Sequence, residues 1–242
     1  MNIGLIGYGK MGKIIHQLAE QRGHTVGNIV DVDRGKIDGS VDCYIDFSNP
    51  SATKNNVERC AELGIPLVLG TTGWGEQEKD IRDRANKAKA PIVYAGNFSL
   101  GVNLFLQTIA EAAKKFSAFA DTYDVFVHEW HHKNKADSPS GTALQIGQAI
   151  LRNHSGKTSI QTNKLDRKIE ANELHISSTR GGAIPGTHLV TFDSDFDTID
   201  LKHTARKRDG FALGAILTAE KIGKLKPGFH YLPDIFDQIF TS

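Results

Sequence analysis

The residue types best suited to chemistry crowd into residues 129–142, Glu129-Trp130-His131-His132-Lys133-Asn134-Lys135-Ala136-Asp137-Ser138-Pro139-Ser140-Gly141-Thr142. This polar, titratable stretch lies between an apolar strand pattern and an apolar helix pattern. Neighbouring side chains on a strand face opposite ways, so His131 and His132 should do different jobs. Ser140-Gly141-Thr142 opens a helix, where free backbone N–H groups and the Thr142 hydroxyl can hold a carboxylate. Histidine and lysine beside such an anion pocket suit proton transfer to an acidic substrate. A metal centre would need further converging ligands, and no Cys/His spacing supplies them, so no metal is expected. The bland alternative is a solvated basic loop that tolerates histidines, and the anion-holding helix start argues against it.

The second chemical feature is Gly7-Tyr8-Gly9-Lys10-Met11-Gly12, a G-x-G-x-x-G that follows a strand pattern and opens a helix pattern. In that context Gly7 makes the tight turn, Gly9 lets a pyrophosphate approach the backbone, and Gly12 lets helix and strand pack closely. An acidic residue about 20 positions on should meet the adenosine ribose. Asp31 is placed to do so, and Asp33 takes the role if the strand ends later. A carboxylate there repels a 2′-phosphate, while Lys10 and Arg34 offset the repulsion, so NADH and NADPH both remain open. Gly70-Thr71-Thr72-Gly73 and Ala95-Gly96-Asn97-Phe98-Ser99 each follow a strand pattern, at the end where open parallel sheets bind ligands. Small and hydroxyl residues there let a nicotinamide and its ribose lie against backbone. His188 and His203 read as hydrogen-bonded strand histidines.

These groups need a frame. Strand patterns over residues 2–6, 25–32, 41–47, 66–69 and 91–95 alternate with helical spacing over 11–20, 51–63 and 76–89. That alternation argues for a parallel sheet wrapped by helices. The pattern then changes to long helices over 102–119 and 139–152, and strands over 123–131, 173–179, 187–193 and 198–203. The last three of these strands are separated by turns and look antiparallel. Helical spacing returns over 210–222, Pro227-Gly228 breaks it, and 232–240 is a short apolar tail. The expected fold is α/β: a Rossmann-like parallel-sheet nucleotide domain over residues 1–100 and 209–242, and an α+β domain over 101–208 with a mixed or antiparallel sheet. The last helix packs back on the first lobe.

Composition sets the outer limits. The chain has 242 residues, 39% hydrophobic and 24% charged, so neither disorder nor a coiled coil fits. No apolar run reaches the roughly 18 residues of a membrane span. A formal net charge of +1 is too small for a general nucleic-acid or membrane-surface binder. Cys43 and Cys60 form no disulfide framework and read as buried thiols. With no basic, apolar leader pattern at Met1, a cytoplasmic location is expected. The 24 glycines among 242 residues exceed the usual share of roughly 7%, follow no period and must serve turns or close approaches.

The stretch E-x-H-H-x-x-K-x-D-x-P-S-G-T-A over residues 129–143 resembles the signature of the 4-hydroxy-tetrahydrodipicolinate (dihydrodipicolinate) reductases of lysine and diaminopimelate synthesis. The glycine loop, Gly70-Thr71-Thr72-Gly73, residues 95–103 and Arg180-Gly181-Gly182-Ala183-Ile184-Pro185-Gly186-Thr187-His188 are also similar to the family's landmarks, in the same order. The resemblance implies hydride transfer from NADH or NADPH to C4 of a cyclic imine dicarboxylate. It implies His131 as proton donor/acceptor and Lys135 as proton donor. His132, Gly141 and Thr142 would bind substrate. Gly7, Tyr8, Gly9, Lys10, Met11, Gly12, Asp31, Gly70, Thr71, Thr72, Ala95, Gly96, Asn97 and Phe98 would bind the cofactor. Arg208 matches an arginine near the hinge into the last helix. The resemblance further implies a homotetramer formed through the second lobe's sheet, and lobes that close about Gly101 and Gly210. From the residues alone, two other readings stay open. One is a different two-domain nicotinamide dehydrogenase, such as one acting on an amino acid. The other is a redox-sensing nucleotide-binding regulator, which would not need His131, Lys135 and Thr142 together.

Overall fold

The structure is a computed structural model and describes residues 1–240. It divides into two compact units, Met1–Leu100 with Arg208–Ser242, and Gly101–Lys207. In chain order the first unit begins with β1 (Asn2–Ile6), α1 (Lys10–Gln21), β2 (Thr25–Val30), β3 (Cys43–Asp46), α2 (Pro50–Leu63), β4 (Leu67–Leu69), α3 (Glu78–Ala85) and β5 (Pro91–Tyr94). Then come α4 (Leu100–Phe116), β6 (Asp124–His131), α5 (Gly141–Asn153), β7 (Ser159–Gln161), β8 (Glu173–Arg180), β9 (Thr187–Asp193) and β10 (Thr198–Thr204). The chain returns to the first unit with α6 (Asp209–Lys221), β11 (Gly228–Tyr231) and α7 (Leu232–Phe240).

The first unit carries a six-stranded sheet in the order β11-β5-β4-β3-β1-β2, with every pair parallel. Its inner strands β1, β3, β4 and β5 are buried on both faces, and their alternation sorts side chains to two cores. Ile3, Leu5, Ile45, Val68 and Val93 meet Ile15 and Ala19 of α1 and Ala212, Ala215 and Ile216 of α6. Ile6, Tyr44, Leu67, Leu69 and Ile92 meet Val57 and Cys60 of α2 and Ile81 of α3. Both cysteines are buried free thiols in these cores. α6 comes close enough to the backbone after β5 that a Cβ at Gly214 would lie 1.7 Å from the Phe98 carbonyl oxygen. From β1 the chain crosses to β2 on one side and to β3 on the other. The carboxyl end of β1 is therefore the switch point where open parallel sheets form their ligand crevice.

The second unit carries a five-stranded sheet in the order β10-β9-β6-β8-β7. Its β6–β9 and β9–β10 pairs are antiparallel. The β6–β8 and β7–β8 pairs are parallel, so of the mixed or antiparallel sheet expected the mixed one forms. The chain between β6 and β8 runs through α5, and a helical crossover returns a strand parallel to its predecessor. Val125, Val127, Leu174, Ile176, Val190 and Phe192 pack beneath Ile109 and Ala113 of α4 and Ile146 and Ile150 of α5.

Other departures are local. The second strand ends at Val30, not at residue 32, because Asp31 and Arg34 exchange backbone hydrogen bonds in a tight turn. Pro139 lies outside α5, which starts at Gly141 behind a Ser140 cap. Gly228, expected only as a breaker, opens β11 at a φ of 125° that glycine tolerates. The apolar tail is the helix α7, whose Leu232, Ile235, Phe236 and Ile239 join the first core.

Candidate active site

In the first unit the entry loop has the glycine roles its spacing predicts. Gly7 has φ 87°, and a Cβ there would strike the Phe47 carbonyl oxygen at 2.6 Å. A Cβ at Gly12 would lie 2.2 Å from the Gly7 carbonyl oxygen, so α1 sits directly on the turn. A Cβ at Gly9 would meet nothing within 4 Å. Gly9 is also the N-cap of α1, with no side-chain capping bond and no acidic residue in the first turn. Uncapped N–H groups and the helix dipole favour an anion there. A cavity of about 520 Å³ opens over this loop, lined by Gly7, Tyr8, Gly9, Asp31, Phe47 and Ser48 among others. These features fit the pyrophosphate and adenosine ribose of a dinucleotide.

Asp31 stands at the rim of that cavity. Its carboxylate accepts hydrogen bonds from the Tyr8 N–H at 3.2 Å and the Val32 N–H at 2.9 Å. The Arg34 guanidinium lies 5.8 Å over the Tyr8 ring, which lines the same cavity. Lys10 is exposed in the first turn of α1, whereas Met11 packs partly against the core.

The other predicted loops divide into lining and support. Thr71 is buried, and its hydroxyl donates to Asp46 Oδ1 at 2.8 Å while accepting the Ser48 N–H at 2.8 Å. Asp46 is completely buried and also accepts from the Ser48 N–H at 2.8 Å and Asn56 Nδ2 at 2.9 Å. Burial pushes the Asp46 carboxyl up, against hydrogen bonds from Ser48, Asn56 and Thr71. This knot ties the loop after β4 to the loop after β3, and Trp74 Nε1 adds a 2.5 Å hydrogen bond to the Thr71 carbonyl. A Cβ at Gly70 would overlap the Phe47 ring. Thr72 and Gly96 are exposed, and Asn97 Oδ1 accepts the Ser99 N–H at 2.9 Å. The Ala95 and Phe98 side chains are in the core, so only their backbone is placed to meet a ligand.

In the second unit, His131 and Glu129 share one face of β6 with Val125 and Val127, because the strand alternates buried positions. Glu129 is completely buried. Its Oε1 accepts the Ser140 N–H, Ser178 Oγ and Arg180 Nη2, each at 2.8 Å. Its Oε2 lies 3.4 Å from His131 Nδ1 and 3.5 Å from His188 Nε2. Burial works to raise the Glu129 carboxyl, but hydrogen bonds from His188, Ser140 and Arg180 prevail and hold it well below the usual range. Burial lowers His131 to about 4, against the pull of Glu129 and helped by the charges of His188, Lys135 and Arg180. His131 is therefore a neutral imidazole near pH 7. His188 and His203 face each other across β9 and β10, with ring centroids 6.4 Å apart, and His188 lies 5.2 Å from the His131 ring. His188 is thus part of the His131 cluster and not an isolated strand histidine.

The turn after β6 positions the remaining groups. The His132 N–H donates to the Ile184 carbonyl at 2.8 Å, and the Lys135 N–H to the His132 carbonyl at 3.1 Å. Lys135 Nζ pairs with Asp137 Oδ1 at 2.7 Å, which lowers the Asp137 carboxyl. Ser140 caps α5 through the Ala143 N–H at 3.1 Å, leaving Gly141 and Thr142 in the first turn. A Cβ at Gly141 would meet nothing within 4 Å. The ligand atoms of Glu129, His131 and His188 lie within 4.8 Å of one another. The Arg180 guanidinium already neutralises that carboxylate, so a divalent cation there would sit against a positive charge. Glu129, Arg180 and Asp46 were given no site role by the sequence, while His188 is the hydrogen-bonded strand histidine expected, on β9 and 3.2 Å from Ser140 Oγ. The alternation Val125-x-Val127-x-Glu129-x-His131 carried a signal for Glu129, an acid on the core-facing side of a strand.

Comparison with known proteins agrees over nearly the whole chain. The family models described as dihydrodipicolinate reductase, N-terminus and C-terminus, match residues 25–98 and 101–236. A 4-hydroxy-tetrahydrodipicolinate reductase from Christiangramia forsetii is 39% identical over 245 residues, covering 100% of both chains. One from Psychrobacter arcticus is 34% identical, covering 97% of this chain and 94% of its own. Among solved structures, a dipicolinate-bound dihydrodipicolinate reductase from Paenisporosarcina sp. TG-14 shares the fold at a TM-score of 0.77 and 21% identity, covering 97% of this chain and 99% of its own. An amine dehydrogenase from Mycobacterium smegmatis shares it more distantly, at a TM-score of 0.59 and 10% identity, with 94% of each chain covered. By sequence matched from end to end, the chain belongs to the dihydrodipicolinate reductase family.

Proposed function

We propose that this chain is a pyridine-nucleotide-dependent oxidoreductase that reduces 4-hydroxy-tetrahydrodipicolinate, by way of dihydrodipicolinate, to tetrahydrodipicolinate in lysine and diaminopimelate synthesis. The observation that carries the reading is the full-length match to reductases of that name at 34–39% identity. The bound nucleotide supplies a hydride to C4 of the ring. The protein's own task is to hold two carboxylates and to deliver the proton that neutralises the reduced ring.

Residues 1–100 and 209–242 hold the nucleotide and residues 101–208 the substrate. Gly7, Tyr8, Gly9, Lys10, Met11 and Gly12 take the pyrophosphate and Asp31 the adenosine ribose. Backbone after β4 and β5, at Gly70, Thr71, Thr72, Ala95, Gly96, Asn97 and Phe98, takes the nicotinamide end. Gly141 and Thr142 bind a substrate carboxylate at the N-terminus of α5, with His132 beside them. Lys135 donates the proton, and its charge stabilises the negative charge that develops on the ring. His131 exchanges protons as a neutral imidazole. Asp31 favours NADH, while Arg34 and Lys10 lessen the penalty on a 2′-phosphate, so both nucleotides serve.

The chain works as a cytoplasmic homotetramer joined through the second sheet, whose outer face shows Phe126 and Ile199, each 39% exposed. No helix among the described residues is long and apolar enough to cross a membrane.

The test is loss of NADH or NADPH absorbance with the ring substrate. Turnover with either nucleotide is expected, and none with both overturns the reading. Lys135→Ala should cut kcat by ~10²–10⁴, the usual worth of a positioned proton donor, and leave nucleotide affinity unchanged. Normal turnover in that variant removes Lys135 from the role.

A further inference from the structure

We propose that Glu129 is a positioning residue that fixes His131 as its Nδ1-protonated tautomer, leaving Nε2 to exchange a proton with the substrate. The proposal rests on the reading of His131 as a proton donor/acceptor.

The geometry leaves the two oxygens of Glu129 with separate tasks. Oε1 is filled by the Ser140 N–H, Ser178 Oγ and Arg180 Nη2, each at 2.8 Å, which fixes the carboxylate's plane and its charge. Oε2 faces only two imidazole nitrogens, His131 Nδ1 at 3.4 Å and His188 Nε2 at 3.5 Å. Glu129 Oε2 and His131 Nδ1 are both fully buried, and neither has a hydrogen-bond partner elsewhere, so each faces the other. An anionic oxygen opposite a ring nitrogen is matched by an N–H and opposed by a lone pair. With the proton on Nε2, two buried polar atoms would face each other unsatisfied, which is costly away from water. The contacts are longer than a mature hydrogen bond, as pairs in unliganded sites often are, and tighten when the imidazole gains charge.

The other side of the ring is kept clear. Gly186, at φ 155°, packs beside Nε2, and a Cβ there would lie 2.9 Å from it. His188 fits the same scheme. Its Nε2 faces Glu129 Oε2 and lies 3.2 Å from Ser140 Oγ, so a proton on Nε2 serves both. His188, Lys135 and Arg180 disfavour a charged His131, and Glu129 is the one neighbouring group that favours it. The carboxylate therefore sets which nitrogen is bare and also steadies the imidazolium that forms when that nitrogen takes a proton. Through Ser140 it also ties His131 to the first turn of α5, so proton exchange and carboxylate binding share one anchor.

The decisive variant is Glu129→Gln, which keeps an oxygen for Ser140 and Arg180 but turns an amide N–H₂ toward the two histidines. Nitrogen-15 NMR of histidine-labelled protein reads the tautomer, with the His131 signal assigned by its absence in His131→Asn. The wild type should show His131 protonated on Nδ1. The Gln variant should show the proton on Nε2, with kcat lower by ~10²–10⁴ and KM little changed, as when a general acid–base is lost. Ser178→Ala removes a donor to Oε1 only and should leave the tautomer alone. If Glu129→Gln fails to fold, Glu129→Asp draws the charge back by one methylene and should show a mixture of tautomers. A wild-type His131 protonated on Nε2, an unchanged tautomer in Glu129→Gln, or a switch in Ser178→Ala overturns the proposal. A tautomer switch with kcat unchanged upholds it and instead overturns the assignment of His131 to proton exchange.

Discussion

Burying a neutral histidine makes the fold sensitive to acid in a way one substitution can isolate. The ordinary histidine value is 6.5, and burial lowers His131 to about 4. The unfolded chain thus takes up this proton about 2.5 pH units before the folded one does, so stability falls as the pH drops from 6.5 toward 4. At 1.36 kcal/mol per unit, folded His131 costs about 3 kcal/mol by pH 4 and almost nothing above pH 7. In His131→Gln that increment disappears. His128, His154 and His203 are also pushed down by burial, but they are common to both proteins and cancel in the comparison. Urea denaturation at pH 7, 6, 5 and 4, at one protein concentration, reads the difference. The wild type should lose about 3 kcal/mol more than His131→Gln across that range. Equal losses, within about 0.5 kcal/mol, would refute the claim that His131 is held neutral by burial at this site.

The entry loop predicts opposite outcomes for neighbouring glycines. Gly9→Ala, with open space at its Cβ, should leave the fold within about 1 kcal/mol of the wild type while weakening nucleotide binding at least ~10-fold by fluorescence titration. Gly12→Ala forces a Cβ against the Gly7 carbonyl at 2.2 Å and should lower thermal stability and nucleotide affinity together. Thr71→Val removes the hydroxyl shared by Asp46 and Ser48, and should cost about 1–3 kcal/mol in urea denaturation for the buried groups left unpaired. Gly186→Ala should crowd His131 Nε2 and lower kcat while nucleotide affinity, measured by the same titration, stays constant.

Which of these groups the sequence discloses follows from how far along the chain each argument must reach. The glycine loop and the Ser140-Gly141-Thr142 helix start are local: turn and cap contacts fall within a few residues, so spacing alone specifies them. The parallel sheet of the first unit was equally legible, because its strands are apolar runs punctuated by helices. β11 was not, since its four residues begin with glycine and earn their strand identity only by pairing with β5. The parallel β6–β8 pair was hidden for a similar reason, as turn residues between strands do not disclose which strand lies beside which.

The His131 cluster shows the same division most sharply. His131 and Lys135 stand in a motif, but the groups that decide what His131 can do arrive from elsewhere. Arg180 comes on β8 and His188 on β9, some 49 and 57 residues further along the chain. Glu129 alone was within reach, two residues away on the same strand face. Its meaning depends on those distant partners: without Arg180 and the Ser140 and Ser178 donors, a buried carboxylate would rise and neutralise, and a neutral acid would not hold the imidazole's proton on one nitrogen. A motif can therefore bring His131 to notice while leaving unstated the sheet register that sets what surrounds it.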